Sequence, residues 1–142
     1  MARVLIVPCG CRGRALAAEL RAAGHAVRGT TRDPAHAAAI AQAGAEPYVG
    51  DPDRIGTLME ALAGVTIVCW LMGTVPVPDL HDGRLRMLWE KLVDTPVRGV
   101  VYEAALPAGE AIAHDAAERW QMPVEIVAVG GARAAVDRLL GL

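Results

Sequence analysis

The sequence predicts an α/β fold, a six-stranded parallel sheet that is doubly wound, with helices on both faces. Three observations carry that expectation. Short apolar runs alternate with helix-period segments along all 142 residues. The apolar runs are nearly unbroken rather than alternating, as strands buried on both faces must be. Glycine stands at the end of the early helical segments, where a chain leaves a helix most easily.

The elements follow in order. Residues 3–8 (RVLIVP) form a first strand, and 13–23 a helix with Leu16 and Leu20 on one face, stopped by Gly24. Residues 25–30 form a second strand. Asp33 then caps a helix whose first position is Pro34 and which ends at Gly44. Residues 46–49 make a third strand, and 53–63 a helix closed by Gly64. Residues 65–71 (VTIVCWL) form the strongest strand. A loop over 73–78 follows, with two prolines, Pro76 and Pro78. The segment 84–93 is amphipathic, with Leu85, Leu88, Trp89 and Leu92 on one stripe and Asp82 as its cap. Residues 97–102 and 123–129 are the fifth and sixth strands. Helices over 108–120 and 132–140 complete six βα units, read as one domain over residues 1–142.

Composition excludes several functions. With 54% hydrophobic residues the chain has material for a real core, and its net charge of −2 gives no basic face for nucleic acid. No apolar run reaches the ~18 residues of a membrane span, and no charged leader precedes one, so a soluble cytoplasmic protein is expected. The chain has no serine, and Lys91 is its only lysine. A serine nucleophile and a Ser–Tyr–Lys set are therefore impossible. Cys9, Cys11 and Cys69 make neither a disulfide framework nor a metal cluster.

Chemistry in such a fold belongs at the carboxyl ends of the strands, where strand order reverses. The first loop there is Pro8-Cys9-Gly10-Cys11-Arg12-Gly13, after a strand and opening a helix. That is the context of a dinucleotide fingerprint. Gly10 lets backbone approach a pyrophosphate, Gly13 lets helix pack on strand, and free N–H groups at the helix start receive the phosphates. Pro8 stands where such a loop has its first glycine, so the turn must differ. The second strand ends in Thr30-Thr31-Arg32, where an NAD site usually carries an acid. Two hydroxyls and a guanidinium suit a 2′-phosphate, which predicts NADP(H) over NAD(H). Arg12 and Arg14 add positive charge beside the loop.

The stretches GCRGRALAAELRAAGH (10–25), VRGTTRDP (27–34), GDP (50–52) and ALAGVTIVCWLMG (61–73) together resemble the N-terminal half of the extended and atypical short-chain dehydrogenase/reductases. This is the Rossmann-fold, epimerase/dehydratase-like and NmrA-like group. The resemblance implies Gly10 and Gly13 at the pyrophosphate, Thr30, Thr31 and Arg32 around the ribose phosphate, and Asp51 near the adenine. It also implies Leu71, Met72 and Gly73 on the path to the nicotinamide ribose, and pairing of two chains through the helix 84–93, where Met87 and Val93 lie off the buried stripe. The departures are equally specific. The helix after the fifth strand lacks the family's Tyr-x-x-x-Lys, and the chain stops after the sixth unit, without the C-terminal substrate region. Tyr102 and His114 are the remaining candidates for a proton donor.

Three readings follow. One is a minimal NADP(H)-binding domain with little or no hydride transfer, a sensor or a subunit. The second is a small NADP-dependent oxidoreductase or epimerase with a non-standard proton donor. The third is a nucleotide-free scaffold whose loop Pro8 has closed.

Overall fold

The computed structural model describes residues 2–75 and 77–141; Pro76 of the loop after the fourth strand lies outside the described residues. Six strands, β1 (Arg3–Val7), β2 (Ala26–Thr31), β3 (Glu46–Val49), β4 (Ile67–Leu71), β5 (Gly99–Glu103) and β6 (Val124–Val127), form one sheet. Its order is β3-β2-β1-β4-β5-β6, and every adjacent pair is parallel. The fold is therefore the doubly wound sheet the sequence predicts, and its strand order reverses between β1 and β4.

The helices α1 (Cys11–Ala22), α2 (Ala37–Gln42), α3 (Gly83–Leu92) and α4 (Pro107–Trp120) lie between strands, and α5 (Ala132–Leu139) follows β6. Alternation within the strands divides the core into two layers. Val4, Ile6, Cys69 and Val101 point to one face, where Leu16, Leu20, Ile40 and Val136 of α1, α2 and α5 cover them. Leu5, Val7, Trp70 and Tyr102 point to the other, beneath Leu85, Leu88, Trp89 and Leu92 of α3 and Ile112 and Ala116 of α4. Each fully buried leucine of this kind contributes about 1.5–3 kcal/mol. Asp33 caps as expected, its Oδ1 accepting from the Ala35 N–H at 2.9 Å, although the first turn after it (Pro34–His36) is 3₁₀. Gly24 and Gly44 end α1 and α2 with φ of 93° and 95°, which a side chain would resist.

Three expectations are corrected. The single helix over 53–63 is two short 3₁₀ turns, Ile55–Leu58 and Glu60–Leu62. Ile55, Leu58 and Ala61 recur every third residue and are buried, which is the 3₁₀ period. Thr57 Oγ1, bonded to the carbonyls of Arg54 (2.7 Å) and Asp51 (3.1 Å), competes with an α-helical ladder. Arg28, buried in β2, also holds this segment by donating to the Ala61 and Ala63 carbonyls at 2.6 and 3.2 Å. Asp82 does not cap α3, because its carboxylate accepts from Arg86 Nε at 3.0 Å. Of the residues expected to face a second chain from 84–93, Met87 packs against the core and only Val93 is exposed. No helix among the described residues is long and apolar enough to cross a membrane.

Candidate functional site

At the carboxyl ends of β1–β4 the structure opens a cleft of about 710 Å³, within the range of small-molecule sites. Its floor is the loop from β1 to α1, which begins with a cis Val7–Pro8 peptide. The Cys9 N–H donates to the Thr30 carbonyl at 2.8 Å, tying the loop to β2. Cys9 fills the space left by Gly29, where an added Cβ would lie 2.6 Å from Sγ. Gly10 precedes α1 with extended backbone and no side-chain cap, and a Cβ there would meet nothing within 4 Å. The first intrahelical bond runs from the Arg14 N–H to the Gly10 carbonyl at 2.8 Å. The N–H groups of Cys11, Arg12 and Gly13 precede it, as donors for an anion. Gly13 lies against β1, with an added Cβ 3.0 Å from the Pro8 carbonyl and 3.1 Å from Ile6 Cγ2.

The end of the cleft expected to hold a ribose phosphate departs from the sequence reading in one respect. Both threonine hydroxyls are already engaged. Thr30 Oγ1 is buried and donates to the Ile6 carbonyl at 3.5 Å, and Thr31 Oγ1 exchanges bonds with the Asp33 backbone at 3.1 Å. The charge is carried by arginines. Arg14 and Arg32 line the cleft, and among the described residues neither has a carboxylate partner. The Asp33 carboxylate is committed to its cap. Asp51 also lines the cleft, but its Oδ1 accepts from the Asp53 N–H at 2.9 Å and its N–H donates to Thr57 Oγ1 at 2.8 Å.

Of the facing wall only Met72 was named from the sequence, as part of the path to the nicotinamide ribose. Met72, Val75, Val77 and Leu80, from the loop after β4, make it apolar. The signal was the apolar residues Val75, Val77 and Leu80 interspersed with two prolines, shortly after the strongest strand. Trp70 Nε1 donates to the Leu80 carbonyl at 3.0 Å. His81, fully buried, holds the Val75 carbonyl through Nε2 at 2.8 Å and the Tyr102 hydroxyl through Nδ1.

Beyond the first turn of α1 lies a second, smaller depression of about 220 Å³, bordered by Arg12, Leu71, Glu103 and Gly130. Glu103, at the end of β5, is 1% exposed. Its Oε1 accepts from the Gly73 N–H at 2.9 Å and its Oε2 from Arg12 Nη1 at 2.5 Å; Arg12 Nη2 also donates to Thr74 Oγ1 at 3.3 Å. The two candidate proton donors lie elsewhere. Tyr102 is completely buried, with its hydroxyl bonded to His81 and packed over Gly109 of α4. Burial, with the charge of Glu110 adding, pushes its pKa up to about 12. His114 is exposed on α4, and neither residue lines the cleft. Among the described residues no group of three or more His, Cys, Asp or Glu side chains could hold a metal ion.

Burial also raises the Cys9 thiol to about 11, against the opposing charge of Arg14, and the Cys69 thiol to about 12, with Glu103 adding. A neutral group whose folded pKa is raised supports stability fully below its ordinary value of 9.0 and loses that support as pH climbs through the folded value. Denaturation midpoints should therefore hold between pH 7 and 8 and fall from about pH 9 upward. At pH 8 iodoacetamide should label exposed Cys11 alone in the native chain; labelling of Cys9 or Cys69 at the same rate would contradict the burial argument.

A family model described as NAD(P)H-binding matches residues 10–138. Among curated proteins no relative matches the chain. The fold is similar to triphenylmethane reductase of Citrobacter sp., solved with NADP(H), at 18% identity and a TM-score of 0.68, covering 90% of this chain and 49% of that one. It is similar to UDP-N-acetylglucosamine 4-epimerase of Bacillus cereus at 15% identity and a TM-score of 0.70, covering 90% and 53%. The chain thus spans about half the length of these two. A Corynebacterium glutamicum protein described as a short-chain dehydrogenase/reductase matches at 17% identity and a TM-score of 0.69, over 100% of this chain and 93% of its own.

Proposed function

The chain belongs to the NAD(P)H-binding family, and from that premise we propose that residues 1–142 act as one NADP(H)-binding domain with little or no hydride transfer of their own, a sensor or a subunit. The observation that carries the cofactor choice is the pair of guanidinium groups, Arg14 and Arg32, without a carboxylate partner among the described residues and lining the cleft beside the open start of α1. The cofactor supplies a hydride when bound, and the chain supplies its binding surface. The N–H groups of residues 11–13 receive the pyrophosphate, Arg32 the 2′-phosphate, and the wall of Met72, Val75, Val77 and Leu80 the adenine. Pro8 leaves this cleft open, which favours a bound nucleotide over an empty scaffold.

The proposal of weak chemistry rests on the far end. Carbonyl reduction needs a positioned acid, worth ~10²–10⁴-fold. Tyr102 is sealed in the core, and Glu103 is committed to Arg12 and Gly73. Calorimetric titration with NADPH, NADH and ATP is the decisive experiment. NADPH should bind at least about tenfold more tightly than NADH; equal affinities would remove the NADP assignment, and no binding of either would remove the cofactor. A panel of aldehydes, ketones, quinones and sugar nucleotides, followed by NADPH absorbance, should stay near background. Robust turnover abolished by His114→Ala or Tyr102→Phe would instead establish an oxidoreductase with an unusual donor.

A further inference from the structure

We propose that the Arg12–Glu103 ion pair sets the preference of the site between the oxidised and the reduced cofactor, each charge cancelling the bias of the other. The inference rests on the cofactor reading above. A doubly wound sheet binds a dinucleotide across the point where strand order reverses, one nucleotide on each half. Here that point lies between β1 and β4. A ligand with its adenosine half in the large cleft and its phosphates on α1 sends its second half toward the ends of β4 and β5. What the chain presents there is the depression bordered by Leu71, Glu103, Gly130 and Arg12.

The two redox forms differ by one charge on the ring, cationic when oxidised and neutral when reduced. A buried carboxylate beside the ring would favour the cation, and a bare guanidinium would disfavour it. Glu103 is 1% exposed and Arg12 reaches it at 2.5 Å, so the ring meets a neutral pair. The other charges at the depression, Glu19 and Arg133, have opposite signs, and Arg133 is bonded to Asp137 at 3.3 Å. Gly73, whose added Cβ would lie 2.6 Å from the Glu103 carboxylate, and the Gly73 N–H keep that carboxylate in place when its charged partner is removed.

The test measures dissociation constants for NADP⁺ and NADPH by equilibrium dialysis and compares their ratio across variants, which cancels any loss common to both forms. Arg12→Gln should move the ratio toward NADP⁺ by about tenfold, and Glu103→Gln toward NADPH by about as much. Arg12→Lys, which keeps the charge, and the double variant, which removes both, should stay within about threefold of the parent. If Arg12→Gln fails to fold, Glu103→Gln against the double variant reads the same quantity. Ratios that stay fixed, or single variants that move in the same direction, overturn the proposal while both cofactors still bind. If the parent chain binds neither NADP⁺ nor NADPH, nor adenosine 2′,5′-bisphosphate, the cofactor reading itself has failed and this inference falls with it.

Discussion

Replacing Arg32 with alanine weakens NADPH binding by about tenfold or more and leaves NADH binding nearly unchanged. The two cofactors differ only at the 2′-phosphate, and a hydrogen bond to a charged group is worth ~1.5–3 kcal/mol. Arg32 follows β2 directly, lines the cleft, and is exposed, with no carboxylate paired to it among the described residues. The threonines beside it cannot compensate, since their hydroxyls are bonded to Ile6 and Asp33. Arg14 lies on the first turn of α1, next to the phosphate loop, so Arg14→Ala should weaken both cofactors alike. Calorimetry at one fixed salt concentration separates the two patterns, because exposed charge pairs weaken with ionic strength. Equal losses for NADPH and NADH on removing Arg32 would dismiss its assigned role.

Replacing Gly109 with alanine destabilises the chain by about 3 kcal/mol, at the upper end of the usual cost of overpacking. A Cβ built there lies 1.8 Å from the Tyr102 hydroxyl oxygen and 2.6 Å from its Cζ. Tyr102 has nowhere to retreat. It is fully buried in β5, its hydroxyl is bonded to His81, and its ring packs at 5.7 Å from the imidazole. A loss of that size lowers the thermal midpoint of a domain this long by about 10 °C. Tyr102→Phe in the same chain should restore part of the loss, since the oxygen goes but Cζ stays. A Gly109→Ala variant as stable as the parent would show that α4 can slide away from β5.

The strands were legible as nearly unbroken apolar runs, because both their faces are buried, and most helices because each buries a face whose period repeats in the sequence. Val68 and Trp70 point one way and Cys69 the other, and α3 keeps its four-residue stripe. The loop between β1 and α1 was legible as a local element, since a strand, a short glycine loop and a helix follow one another without interruption. What could not be read depends on partners far apart in the chain. Glu103 gains its place from Arg12, 91 residues away, and from Gly73, 30 residues away. Tyr102 was one of two remaining proton-donor candidates, and strand alternation turns it into the core against α4. Thr30 and Thr31 looked like ligands to a phosphate, but the backbone of β1 and of the next turn claims their hydroxyls first. The segment 53–63 misled in the opposite direction: its apolar residues fit a helix, and only their spacing of three and the Thr57 hydroxyl bonds mark it as 3₁₀.

The loop after β4 is held from three directions, by the Trp70 indole, by His81 and, through His81, by Tyr102. An unanchored wall would have to be ordered by the incoming molecule, at a cost of ~1–2 kcal/mol for each residue brought to rest. This wall is instead brought to rest when the protein folds, so association resembles the filling of a rigid mould. Its rate should then rise linearly with ligand concentration, without the plateau that a slow closing step imposes.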